Sequence, residues 1–240
     1  MSNMNPSEDW GRNHLSQFID LGRRHTFETV QMFRPEFNRL VDIDSLFKRI
    51  QDNLYFTKEW FVDFFLMRTH SSFLCASNVA MCGQLPEAYM VLRGSLENAL
   101  YGLYLSRHKE DVETWLRRGE SLEMKNQVRN KFTNSMLLSF LQAVDPRLGE
   151  LAHSLYEQTI DLGAHPNELA LTSALRVEQT DTKRTFKLAY ISGDSDANQL
   201  CLLTAAHIGL FGLSVFRHVF KERYDLLGIS IELDKLKTTL

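Results

Sequence analysis

Arg93 and Glu97 stand four residues apart in an otherwise apolar run, Pro86-Glu-Ala-Tyr-Met-Val-Leu-Arg-Gly-Ser-Leu-Glu-Asn-Ala-Leu-Tyr-Gly-Leu-Tyr-Leu-Ser106. Charges amid that much apolar surface are costly unless paired. On a helix, positions i and i+4 share a face, so these two side chains meet. An Arg fork in a groove binds a carboxylate or phosphate, with the Glu orienting it. Tyr89, Tyr101 and Tyr104 lie on or near that face and add hydroxyls. The competing reading is a structural ion pair that holds helices in register.

His165 is the second candidate. It sits in Gly163-Ala-His-Pro-Asn167, the clearest loop in the chain. The following Pro restricts His165 to extended backbone, and a rigid loop can present His165 and Asn167 to a cleft as a general base or a hydrogen-bonding pair. The same loop can equally be a helix stop whose polar side chains satisfy turn backbone.

Other chemistries find no motif. The eight His residues include no HxxxH or HExxH, and His207 and His218 lie eleven residues apart on one apolar helix, so no metal site is expected. No glycine-rich phosphate loop and no GxSxG elbow occurs, and no cofactor is expected. Arg117, Arg118, Lys125, Arg129 and Lys131 make a modest basic stretch that Glu120 and Glu123 interrupt, which suits a solvated face better than a phosphate track.

The elements that must position these residues are helical. Spacings of three and four run through Trp10, His14, Leu15, Phe18, Leu21 and His25, and Pro35 ends that pattern. Asp44 is expected to cap a helix from Ser45 to about Thr57. Lys58 to Gln84 is apolar in its first half, while Ala76, Ser77, Ala80 and Gly83 in its second half admit a close neighbour. Gly83 and Pro86 bracket a tight turn into the helix carrying Arg93, which makes the two helices antiparallel neighbours. That helix runs to about His108, Lys109 to Arg118 extends it or starts a short one, and Arg117-Arg118-Gly119 ends it. A solvated helix over Glu120–Lys131 follows, then one over Thr133–Val144. Asp145-Pro146 opens another that ends near Gly163. Leu169–Val177 and Arg184–Ile191 alternate with a period of two and predict a β-hairpin within residues 169–192. Asp194 or Ser195 caps a last long helix to about Arg223, and a short amphipathic segment closes the chain. The expected fold is mainly α, an antiparallel helical bundle with a small hairpin, in one domain over residues 9–240 behind a disordered tail of residues 1–8.

Composition sets outer bounds. The 240 residues are 44% hydrophobic and 24% charged, with 12 Gly and 5 Pro, as suits a globular helical chain. A net charge of −3 gives no global case for nucleic-acid binding. Cys75, Cys82 and Cys201 lie in apolar segments without metal spacing and read as free, buried thiols of a reducing compartment. No signal peptide and no uncharged apolar run of about 18 residues is visible, so a cytoplasmic protein without a membrane span is expected.

The order of elements resembles uncharacterised bacterial helical proteins grouped loosely with the HEPN superfamily. The resembling parts are Gly83-Gln-Leu-Pro-Glu-Ala88, the helix from Arg93 to Glu97 and the His165 loop, within about residues 60–170. The resemblance implies an all-helical, often dimeric protein, and in some members a metal-independent ribonuclease of a defence or toxin–antitoxin system. Those nucleases use an Arg and a His four to six residues apart, which Arg147 and His153 match, with Leu148 where a polar residue is usual. The leading expectation is a homodimeric binding or interaction protein of unassigned activity, with a polar pocket around Arg93, Glu97, Tyr101, His165 and Asn167. A protein partner is compatible with it. The alternative is the nuclease, with RNA as its partner.

Overall fold

The computed structural model describes residues 7–55, 60–172, 174–193 and 195–238. Most of the tail expected at residues 1–8, the start of the third helix at Lys58 and the cap at Asp194 lie outside the described residues.

The chain is mainly α with one small hairpin. In order it forms α1 (His14–Met32), α2 (Arg34–Gln51), α3 (Trp60–Met81), α4 (Leu85–Arg107), α5 (Glu110–Leu116), α6 (Leu122–Lys131), α7 (Asn134–Val144), α8 (Pro146–Thr159), α9 (Glu168–Thr172), β1 (Leu175–Gln179), β2 (Arg184–Leu188), α10 (Ser195–Arg217), α11 (Lys221–Leu226) and α12 (Ile229–Thr238). The centre is α3, α4 and α10, with α2 laid against α10. Their apolar stripes form one contiguous cluster in which Phe47, Phe73, Phe211 and Phe216 are fully or nearly fully buried.

Several boundaries follow from cap chemistry. Pro86 falls in the first turn of α4, where its missing N–H costs nothing. Gly83 adopts φ +78 in the turn before it, a conformation open to glycine. The Asp145 carboxylate accepts the N–H of Leu148 and starts α8. Ala76 and Ala80 are fully buried, as small residues at a close helix seam should be.

Four expectations need correction. Asp44 does not cap a helix, because α2 starts at Arg34 with Pro35 in its first turn and runs straight through to Gln51. Its carboxylate instead lies 2.6 Å from Nε2 of the buried His70, whose ring stacks on Phe47. The first expected strand begins late: Glu168–Thr172 is a turn of helix, capped by the Asn167 side chain, and only Leu175–Gln179 is extended. Cys75 is exposed rather than buried, and all three thiols are free. Finally, the last long helix stops at Arg217 rather than about Arg223, with a separate short helix over Lys221–Leu226; α10 is long and apolar enough to cross a membrane, and most of it is buried within the bundle.

Candidate functional site

The His165 loop is built at the end of α8. One wider, π-type turn, Ile160–Ala164, closes that helix. Gly163 then packs directly on the first turn of α4, where a Cβ would sit 2.5 Å from the Pro86 carbonyl oxygen. Any side chain at this position would push loop and helix apart. Asn167 ties off the loop: its Nδ2 donates to the Ile160 carbonyl at 2.8 Å and its Oδ1 accepts the Ala170 N–H at 2.8 Å. Asn167 is therefore consumed by backbone, as the helix-stop reading expected. His165 is exposed, and among the described residues its ring has only the neighbouring Pro166 carbonyl, at 3.2 Å.

His165 does face a groove. A cavity of about 650 Å³ opens between the start of α4, this loop and the hairpin. Leu85, Pro86 and Met90 make one wall and Leu171, Leu188 and Tyr190 the other, with Glu87, His165 and Arg176 as its charged or titratable groups. The hairpin is anchored at its base, where the Ser192 N–H donates to the Gly83 carbonyl at 2.8 Å. Tyr190 sets its ring edge-on against His14 and Phe18 of α1.

Arg93 and Glu97 meet as the spacing required, with Arg93 Nε donating to Glu97 Oε1 at 2.9 Å. A residue 63 positions along, Tyr156 of α8, completes the group. Its hydroxyl accepts from Arg93 Nη2 at 2.6 Å, and its ring lies 4.9 Å from the guanidinium carbon. Asn134 at the start of α7 donates to the same hydroxyl and reaches Glu97 Oε1 at 3.3 Å. Burial pushes the Tyr156 phenol pKa up, and Glu97 adds to this against Arg93 and Asn134. The group ties α4, α7 and α8 together. Arg93 does not line the groove that His165 faces. Tyr101 joins neither, since its hydroxyl donates to the Phe132 carbonyl at 3.1 Å and its ring stacks on Phe65. Burial, and then the charge of Glu97, raise its pKa.

Arg147 and His153 are both exposed on α8. Six residues of α-helix separate two side chains by about 120° around the axis, so this helix does not bring them together. Arg147 lines a second cavity, and His153 does not. In the basic stretch, Lys131 reaches inward to the buried Asp111 at 2.5 Å, and Tyr104 donates to the other carboxylate oxygen at 2.9 Å. Among the described residues no cluster of His, Cys, Asp and Glu is arranged to hold a metal ion.

No protein-family model, no curated protein and no solved structure matches this chain.

The feature that residue-by-residue reading missed is an exposed apolar face of the hairpin. Cross-strand partners Leu175 and Leu188, then Val177 and Phe186, form an apolar ladder. These four are 37%, 52%, 45% and 59% exposed. The alternation that predicted the strands already carried this signal, but it could not say that the bundle leaves the apolar side uncovered.

Proposed function

We propose that the protein is a homodimeric binding protein in which the hairpin joins two copies and the adjacent groove takes a ligand. The observation that carries this reading is the hairpin's edge, which is unpaired among the described residues. A two-stranded sheet with an open apolar face is marginal in water, and a free edge is a template for another strand. The Thr180 N–H donates to the Lys183 carbonyl and the Ala189 N–H to the Ala174 carbonyl. With the register of β1 against β2, these bonds assign the inward backbone groups to Arg176 and Glu178. Leu175, Val177 and Gln179 therefore point their N–H and C=O groups outward.

That edge is complementary to itself. In an antiparallel pairing of β1 with its copy about Val177, Val177 meets Val177 and Leu175 meets Gln179, with all outward groups bonded. Arg176 then stands opposite the other copy's Glu178, in the pair type where side chains approach most closely. The apolar ladder continues across a four-stranded sheet. Helix α10 spends its apolar surface in the core. On α3, Phe64, Met67 and Leu74 stay exposed.

Light scattering at micromolar concentration should give about twice the 27.8 kDa chain mass. Arg176→Glu alone should shift the equilibrium to monomer, because like charges then face each other across the seam. Arg176→Glu with Glu178→Arg should restore the dimer. A monomeric wild type, or a dimer indifferent to the single exchange, would remove the reading.

A further inference from the structure

A second cavity of about 510 Å³ lies away from the hairpin, between the start of α8, the outer half of α10 and the end of α12. Leu148, Leu151, Leu210 and Phe211 give it an apolar floor. Its rim is cationic: Arg147, Arg217 and Lys237 line it with His207 and His218, and among the described residues Asp145 is the one lining carboxylate.

The negative charge available there is already committed. One Asp145 oxygen accepts the Leu148 N–H at 3.0 Å, and the other lies 3.2 Å from His218 Nε2. Asp234, just outside, holds Arg217 at 2.9 Å and reaches Lys237 only at 3.9 Å. The Arg147 side chain has no hydrogen-bond or ion-pair partner among the described residues, while its backbone N–H also serves the Asp145 carboxylate. Burial lowers the Lys237 pKa and the charge of Arg217 lowers it further, against Asp234 and Asp145. Burial also lowers that of His207, with Arg39 adding to it. Three cationic side chains thus share a partly buried wall with two carboxylates, of which Asp145 caps α8 and lies against His218 while Asp234 is closer to Arg217 than to Lys237. The N-terminal turn of α8, with its positive dipole end, borders the same space. An anion would offset that excess of positive charge, and the floor asks for apolar contact beside it.

We propose that this cavity binds a small amphipathic anion, a carboxylate or phosphate monoester carrying an apolar body. Its charged head would sit between Arg147 and Lys237, and its body on Leu210 and Phe211. The size suits such a molecule, since ligand pockets run from about 300 to 1,000 Å³. His207 on α10 and His218 in the turn just past its end both line the cavity.

Titration calorimetry of the full chain tests this with octanoate, octyl phosphate and 1-octanol as probes. Octanoate or octyl phosphate should bind saturably at one site per chain, and 1-octanol at least about tenfold more weakly, since it lacks the charge-assisted contact. Arg147→Ala and Lys237→Met should each weaken the anion by about tenfold, while Arg184→Ala on the hairpin should not. The Arg147 side chain is exposed and unpartnered among the described residues, so its variant remains informative even if Lys237→Met fails to fold. The proposal is overturned if neither anion saturates, if 1-octanol binds equally well, or if both cavity variants bind as wild type. Binding to vesicles of anionic lipid without binding of the free probes would overturn it too, by assigning the cations to a membrane surface.

Discussion

Removing the Glu97 carboxylate probes how the Arg93 group is built. In Glu97→Ala, Arg93 loses its 2.9 Å bond from Nε but keeps the Tyr156 hydroxyl at 2.6 Å and the Tyr156 ring beneath it. Asn134 loses a 3.3 Å contact and also keeps Tyr156. The Arg93 and Glu97 side chains are 26% and 32% exposed, so water can reach the freed guanidinium edge. Breaking a dry buried pair on one side costs about 3–5 kcal/mol, and an exposed helical pair contributes less than about 1 kcal/mol. This group lies between those limits. A hydrogen bond to a charged group contributes about 1.5–3 kcal/mol, and partial rehydration returns some of it. The expected loss is therefore about 1–2 kcal/mol. Urea unfolding followed by circular dichroism would read it as a lower midpoint at unchanged slope. Tyr156→Phe removes the acceptor that Arg93 and Asn134 share while keeping the ring stack, and should cost about the same. The double variant should lose more than the sum of the two, because Arg93 is then left without a hydrogen-bond acceptor. Two results would refute the reasoning. A Glu97→Ala midpoint equal to wild type would make the pair surface decoration, and a loss above about 3 kcal/mol would make it a dry one.

Three further outcomes are expected. Lys131→Met strips the buried Asp111 of its cation and should destabilise by about 2–4 kcal/mol at pH 7 by denaturant midpoint. Burial alone would raise the Asp111 pKa, but the hydrogen bonds from Lys131 and Tyr104 hold it below the usual carboxylate value. Its contribution is thus complete above the unfolded carboxylate range and fades as pH falls through the folded value, so wild type should lose more stability than Lys131→Met between pH 7 and about pH 3. Gly163→Ala places a methyl group against the Pro86 backbone and should cost about 1–3 kcal/mol, with faster amide exchange over Ile160–Asn167. His165→Ala removes an exposed ring that, among the described residues, touches only a neighbouring carbonyl, and its midpoint should stay within about 0.5 kcal/mol of wild type.

The exposure of Arg93 and Glu97 shows why spacing reads contacts better than energies. Four residues of helix guarantee that the two side chains meet, whatever surrounds them. How dry the pair is depends on Tyr156 and Asn134, which arrive from α8 and α7 and share no local pattern with it.

The same division runs through the whole chain. The long helices, the Gly83–Pro86 turn, the Asp145 cap and the His165 loop were legible because each is decided within a few residues, by periodicity, a missing N–H or a side chain that satisfies a helix end. The strands were legible from their alternation, though not where β1 begins, because the Asn167 cap makes Glu168–Thr172 helical first. Asp44 looked like a cap because Asp suits that role, but α2 starts at Arg34, eleven residues before the expected Ser45, where Pro35 falls in the first turn and lets the helix run on. Only tertiary packing decided that α10 hides its apolar face in the core, that the hairpin keeps its own exposed, and that Arg147, His207 and Lys237 line one cavity. Those outcomes turn on which helix faces meet across tens or hundreds of residues. A local pattern states what a face is made of, and the assembled core determines what covers it.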